Sequence, residues 1–334
     1  MREHFLLLLL SFCISYLSAQ SDSVLAVQYY KNGDSLIYEG LYYDAISQLE
    51  EAVELGKRAF GEQSSFNAKT LRALGTAQGY VYQLKKSQQS LQQSIKIYEA
   101  LNDVKSRDYA NSIGELASTL SSLGNYEKSI IYWLKVQDLY YDLFEEGDGV
   151  FAPLYYNIGN TYLGKEDANL ALEYFERALA LDRKRGDDLA IADDYDNIGV
   201  AYDLLGKYDK ALQYFNDAIA IYGTEVGVMS DYYAHVLLQK ASSLKKMGQP
   251  QEAIGPLMNA LKISYQIFGP INSESAAILD LMGECYTALG EYELAEDKFN
   301  SALAALNYDE TQNVLTEVDH LDQLVQVLGH KAGL

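Results

Sequence analysis

The chain has 334 residues, with 26 Lys and Arg against 47 Asp and Glu, for a net charge of −21. A polyanion of this size repels phosphate backbones, which excludes nucleic acid as a partner. Of the two cysteines, Cys13 lies in an N-terminal apolar run and only Cys285 would remain after its removal, so no intramolecular disulfide can staple the fold.

Arg2 precedes an apolar run from Phe5 to Leu17, and Ser18-Ala19 stand before the polar Gln20-Ser21-Asp22. This is the pattern of a signal peptide, residues 1–19, cleaved near Ala19 to leave an exported chain, periplasmic or secreted. Phe12 is bulky where a lipoprotein signal wants a small residue before Cys13, which argues against a lipid anchor. No later stretch approaches the roughly 20 apolar residues that a membrane-crossing helix needs, so the mature chain carries no membrane span.

From residue 20 onward the chain repeats itself. Ser21, Asp22 and Ser23 are cap candidates for a first helix, and a second helix follows with Ala45, Leu49 and Ala52 at helical spacing. The clearest unit is residues 195–222, YDNIGVAYDLLGKYDKALQYFNDAIAIY. There Tyr195, Ile198, Gly199 and Tyr202 recur with a helical period, Gly206 and Tyr208 interrupt, and Ala211, Phe215 and Ala218 resume the period on a second helix. Steps of 40 to 42 residues place Gly33, Gly75, Ala117, Gly159, Ala241 and Gly283 at the position of Gly199. Three second helices depart from the Ala-Phe-Ala theme, carrying Ser87, Leu91 and Ser94, then Ser129, Trp133 and Val136, then Ala253, Leu257 and Ala260. Five of the seven units have Gly at the hairpin turn: Gly40, Gly124, Gly206, Gly248 and Gly290. After the last unit, Val314, Leu315, Val318, Leu321, Leu324, Val325 and Leu328 predict a capping helix over residues 311–328, with residues 329–334 fraying beyond it. No Pro/Ser-rich linker marks a second domain, and residues 20–310 read as seven continuous repeats.

The positions of Tyr195, Ile198, Gly199, Tyr202, Ala211, Phe215 and Ala218 resemble the tetratricopeptide repeat signature. The resemblance covers about residues 23–328. It implies an all-α, right-handed α-α superhelix of seven helix hairpins plus the capping helix. The unit is longer than the usual ~34 residues, and is similar to the repeats of kinesin light chain, Pins-type polarity adaptors and bacterial peptide-pheromone receptors. All of these hold peptides or protein segments on the concave face.

Chemistry-bearing patterns are absent from the spacing. His235, His320 and His330 share no metal-type cluster. Asp194, Asp196 and Asn197 mimic the start of a calcium loop, but Ile198 and Leu205 stand where the loop needs ligands. Gly147-Asp148-Gly149 is a turn, Arg183-Lys184-Arg185 complements a helix C-terminus, and Cys285 reads as a small buried residue. No nucleophile elbow or Walker sequence occurs. The expectation is a chain without catalysis and without cofactors or metals.

In the family that the chain resembles, the first helix of each hairpin lines the concave surface. The equivalent positions are Tyr30, Lys31 and Asp34; Lys69, Arg72 and Tyr80; Asn111 and Glu115; Tyr156, Asn157 and Asn160; Asp193, Asp196, Asn197 and Asp203; Gln239, Lys245 and Lys246; and Asp280 and Glu284. Of these, Tyr156, Asn157, Asn160, Asp193, Asp196, Asn197, Gln239 and Lys245 are the candidate peptide-binding residues. Asn157 and Asn197 stand two positions before the repeat Gly, where the resemblance implies an amide that bonds a peptide backbone. The sequence thus predicts an exported, monomeric scaffold for a protein or peptide partner. The alternative is the sensory or docking region of a longer signalling protein, a sensor kinase or a protease.

Overall fold

The structure, a computed structural model, describes residues 21–145, 147–306, 308–309, 314–315 and 321–333. Residues 1–20, and with them the expected signal peptide, lie outside it. Helices follow one another almost without interruption. They are α1 (residues 21–38), α2 (Tyr42–Phe60), α3 (Ser65–Tyr80), α4 (Leu84–Ala100), α5 (Arg107–Ser122), α6 (Tyr126–Leu143) and α7 (Phe151–Gly164). Then come α8 (Ala168–Arg185), α9 (Asp188–Leu204), α10 (Tyr208–Glu225), α11 (Asp231–Lys246), α12 (Pro250–Phe268), α13 (Ser273–Leu289), α14 (Tyr292–Ala305) and α15 (Leu321–Ala332). The chain divides into two compact units, one ending at Lys165 and one beginning at Glu166. The first contains the hairpins α1/α2, α3/α4 and α5/α6 followed by α7; the second contains α8, then the hairpins α9/α10, α11/α12 and α13/α14, and α15.

Local chemistry sets the helix starts. Ser64, Ser106, Asp187, Ser230 and Asn272 each accept a hydrogen bond from a backbone N–H three residues on, capping α3, α5, α9, α11 and α13. Ser21, Asp22 and Ser23 instead lie inside α1, and Asp22 pairs with Arg58 at 2.9 Å. Hairpin turns need one left-handed residue. Gly40, Gly124, Gly206, Gly248 and Gly290 supply it and Tyr82 takes it at φ 57°, while Glu166, between α7 and α8, is left-handed at φ 65°.

Packing within a hairpin sets a small residue on the first helix against a large one on the second. A Cβ added to Gly33 or Gly75 would stand 2.6 Å from Leu49 or Leu91, and one on Gly283 would stand 2.5 Å from Phe299. Ala211, Phe215, Ala218 and Tyr222 of α10 join Ala192 of α9 and Val236 of α11 in one buried cluster. The units that depart from the pattern are equally well packed. Ser87 Oγ lies 3.0 Å from Thr119 Oγ1, Ser94 Oγ donates to the Ala68 carbonyl at 2.7 Å, and Ser129 Oγ donates to the Ala117 carbonyl at 2.7 Å.

A terminal helix caps the last hairpin as expected, with Val327 in the buried cluster of Phe299 and Ala302, but its bounds differ from residues 311–328. Tyr308–Asp309 and Val314–Leu315 form a two-residue antiparallel ladder, and the helix runs from Leu321 to Ala332. A short apolar run fits a strand as well as a helix, and Val314 and Leu315 take the strand. The expected fraying from residue 329 is replaced by helix to Ala332, and His330 is held there by Asp280 at 3.0 Å and Glu284 at 3.1 Å. Cys285 is fully buried, and burial pushes its thiol up to about 11.

Candidate functional site

Each unit carries a groove formed by successive first helices. In the first unit α3, α5 and α7 contribute Arg72, Tyr80, Asn111, Glu115, Leu154 and Asn157, and the second helix α6 adds Trp133, Val136 and Tyr140. Together they line a cavity of about 420 Å³. Its small members, Ala110 and Gly114, leave room for the indole of Trp133, whose Cζ3 lies 3.1 Å from where a Cβ on Gly114 would sit. Trp133 is 6% exposed, and its indole N–H has no hydrogen-bond partner among the described residues. The same holds for Nε of Arg72. Tyr140 donates a long hydrogen bond, 3.5 Å, to Oδ1 of Asn111. Burial raises the Glu115 carboxyl above its usual range, an effect that Arg72 partly offsets. The cavity therefore presents donors, acceptors and aromatic faces together.

In the second unit α11, α13 and α15 enclose about 310 Å³, lined by Gln239, Ser242, Lys245, Asp280, Glu284 and Gln326 among others. Its charges are mutually satisfied. Lys245 pairs with Glu284, His330 bridges Asp280 and Glu284, and Gln326 donates to Asp280 at 3.3 Å. Burial raises the Asp280 carboxyl and the His330 hydrogen bond opposes the rise.

The sequence-predicted residues fall as follows. Tyr156, Asn157 and Asn160 are half-buried on α7, and Asn157 lines the first cavity. Gln239 and Lys245 line the second. Asp193, Asp196 and Asn197 lie on α9 and line neither cavity. Asp193 accepts a hydrogen bond from the Tyr222 hydroxyl, and Asn197 Nδ2 donates to the Asp193 main-chain carbonyl at 3.1 Å. Asp196 is 8% exposed, and burial, with Asp193 adding to it, pushes its carboxyl up to about 7. Its neighbour Asp194 is fully buried and rises to about 8, through burial first and then the charges of Asp182 and Asp193. These acids are part of the helix packing, and among the described residues no group of three or more His, Cys, Asp or Glu is placed to hold a metal ion.

Sequence reading missed Trp133 and Tyr140, because they belong to a second helix, and Gln326, because it belongs to the terminal helix. The signal for Trp133 was present: an indole replaces the repeat Phe where Gly114 stands one helical turn before Ala117. Among the described residues no helix is long and apolar enough to cross a membrane.

The tetratricopeptide repeat family profile matches residues 23–100, 150–223 and 232–307. A curated relative, Protein KINESIN LIGHT CHAIN-RELATED 1 of Arabidopsis thaliana, is 22% identical over 277 residues, 82% of this chain and 45% of the relative. This chain thus spans less than half of that relative's length. Among solved structures, a Rap protein complexed with Competence and Sporulation Factor matches with a TM-score of 0.62 and 19% identity, over 83% of this chain and 73% of that one. A signal transduction ATPase with a tetratricopeptide repeat sensor from Pyrococcus horikoshii matches with a TM-score of 0.63 and 16% identity, over 84% of this chain and 42% of that one. At these identities the structures bear on the fold alone, whereas the profile spans most of the chain. The chain belongs to the tetratricopeptide repeat family.

Proposed function

We propose that the chain is an exported scaffold that holds an extended peptide or protein segment against its first helices and performs no catalysis of its own. The observation that carries this reading is the first cavity, where the Trp133 indole N–H and Arg72 Nε are buried without partners beside Asn111 and Asn157. Buried donors without acceptors are costly, and a bound main chain supplies acceptors at regular spacing. The Rap structure adds a case in which a chain of this fold is complexed with a factor. Export rests on the Arg2, Phe5–Leu17, Ser18-Ala19 pattern.

The test is a pull-down from cell-envelope extract with the C-terminally tagged chain, run beside the Asn111→Ala/Asn157→Ala variant. A partner retained by the wild type and lost by the variant, with equal thermal stability, supports the groove. A partner held equally by both refutes it. Cleavage after Ala19 is read from the N-terminal sequence of the chain recovered outside the cytoplasm.

A second reading, the docking or sensory region of a longer signalling protein, is favoured by the Pyrococcus horikoshii sensor, of which this chain covers 42%. Reading the coding frame beyond Leu334 into a kinase or protease domain would establish it, and a stop codon there would end it.

A further inference from the structure

Resting on the groove reading above, we propose that the cavity of the first unit takes a lysine or arginine side chain of the bound segment, with Glu115 as its counter-ion. Three features of that cavity define the ligand. Glu115 is half-buried on α5 and forms no ion pair and no side-chain hydrogen bond among the described residues. A desolvated carboxylate in that state is unfavourable unless a cation joins it. Arg72 lines the same cavity and partly offsets the burial of Glu115, yet among the described residues no ion pair connects the two.

The second feature is aromatic. Tyr80, Trp133 and Tyr140 line the space around Glu115. A guanidinium or ammonium group gains from such faces as well as from the carboxylate. The third is the pair of unmatched donors, the Trp133 indole N–H and Arg72 Nε. They require acceptors that a main-chain carbonyl provides, so the ligand is a polypeptide carrying a basic residue and not a free cation. An acidic side chain docked on Arg72 would set a second carboxylate against Glu115 and engage the one cation that partly offsets its burial. The net charge of −21 also steers basic segments toward the chain and acidic ones away.

The experiment uses an array of acetylated, amidated nonapeptides whose central residue is Lys, Arg, Gln, Glu or Leu within randomised flanks. It is probed with the tagged full chain and with Glu115→Gln. Central Lys and Arg are expected to give at least fivefold more bound protein than Glu or Leu. Glu115→Gln should abolish that preference without lowering the thermal midpoint, and Glu115→Asp should restore part of it. Binding without charge preference, or a preference that survives Glu115→Gln, overturns the inference and leaves the groove reading standing. No binding to any peptide overturns both.

Discussion

A Cβ on Gly199 would stand 2.6 Å from the Phe215 ring, closer than real Cβ contacts come, so the backbone of α9 lies directly on the aromatic face of α10. Exposed helix positions normally gain about 1 kcal/mol from Gly→Ala. Here overpacking dominates, and Gly199→Ala should lower unfolding free energy by about 1–3 kcal/mol in urea titration. Adding Phe215→Leu reproduces the natural pair Ala241 and Leu257 and should recover part of the loss. A stabilised Gly199→Ala chain would contradict this packing.

Tyr82 and Glu166 occupy the left-handed region at φ 57° and 65°, a conformation that five hairpin turns give to Gly between 68° and 78°. A β-carbon there costs roughly 1 kcal/mol. Tyr82→Gly and Glu166→Gly should each raise the thermal midpoint, the gain being of order 1 kcal/mol. A lowered midpoint for both would mean that the side chains contribute more than the backbone strain removes.

Asp194 makes the fold sensitive to alkalinity. Its carboxyl is fully buried beside that of Asp182, and burial first, then the charges of Asp182 and Asp193, push it up to about 8 against 3.8 for an unperturbed aspartate. The folded chain holds this proton where the unfolded chain has lost it, so stability falls as pH rises from about 4 to about 8. Asp194→Asn should flatten that slope and stabilise the chain at pH 8 by ~1–3 kcal/mol, because an amide in place of a buried ionised carboxylate has no charge to desolvate. Denaturation midpoints at pH 5, 6.5 and 8 would show it, and parallel slopes for both proteins would refute it.

Ser94 stands where the repeat pattern has Ala, so pattern alone predicts that Ser94→Ala improves the fold. The structure predicts the reverse. Ser94 Oγ donates to the Ala68 carbonyl at 2.7 Å and lies 3.1 Å from Ser112 Oγ, in a fully buried position. The change should cost ~1 kcal/mol. Ser87→Ala should cost less, because its partner Thr119 keeps a hydrogen bond to the Glu115 carbonyl at 2.9 Å. Equal or improved midpoints for Ser94→Ala would return the site to the family pattern.

The hairpins were legible because each needs the same local devices. Gly206 must turn, Gly199 must admit Phe215, and Ala211 and Ala218 must let helices close, so residue type and spacing carry the information. The same rule explains why Ser87, Ser94 and Ser129 looked degenerate: their partners, Thr119, Ala68 and Ala117, lie on other helices and leave no mark on local spacing. The repeat register places Asn157, Gln239 and Lys245 on first helices, and there they line the two cavities. Trp133 reaches its cavity from a second helix, and Asp196 turned out to be buried in α9, because side-chain reach and burial depend on neighbours that periodicity does not specify. The terminal helix began later than its apolar spacing implied, at Leu321, since Val314 suits a strand as well as a helix.

Trp133 is the one tryptophan in 334 residues, and it lies in the wall of the first cavity with its indole N–H unmatched. The chain therefore carries its own optical probe. Excited at wavelengths that spare tyrosine, its emission comes from this single position, and any occupant that hydrogen-bonds the indole or displaces water from it changes colour and intensity together. Occupancy of the groove can be followed in the unlabelled protein.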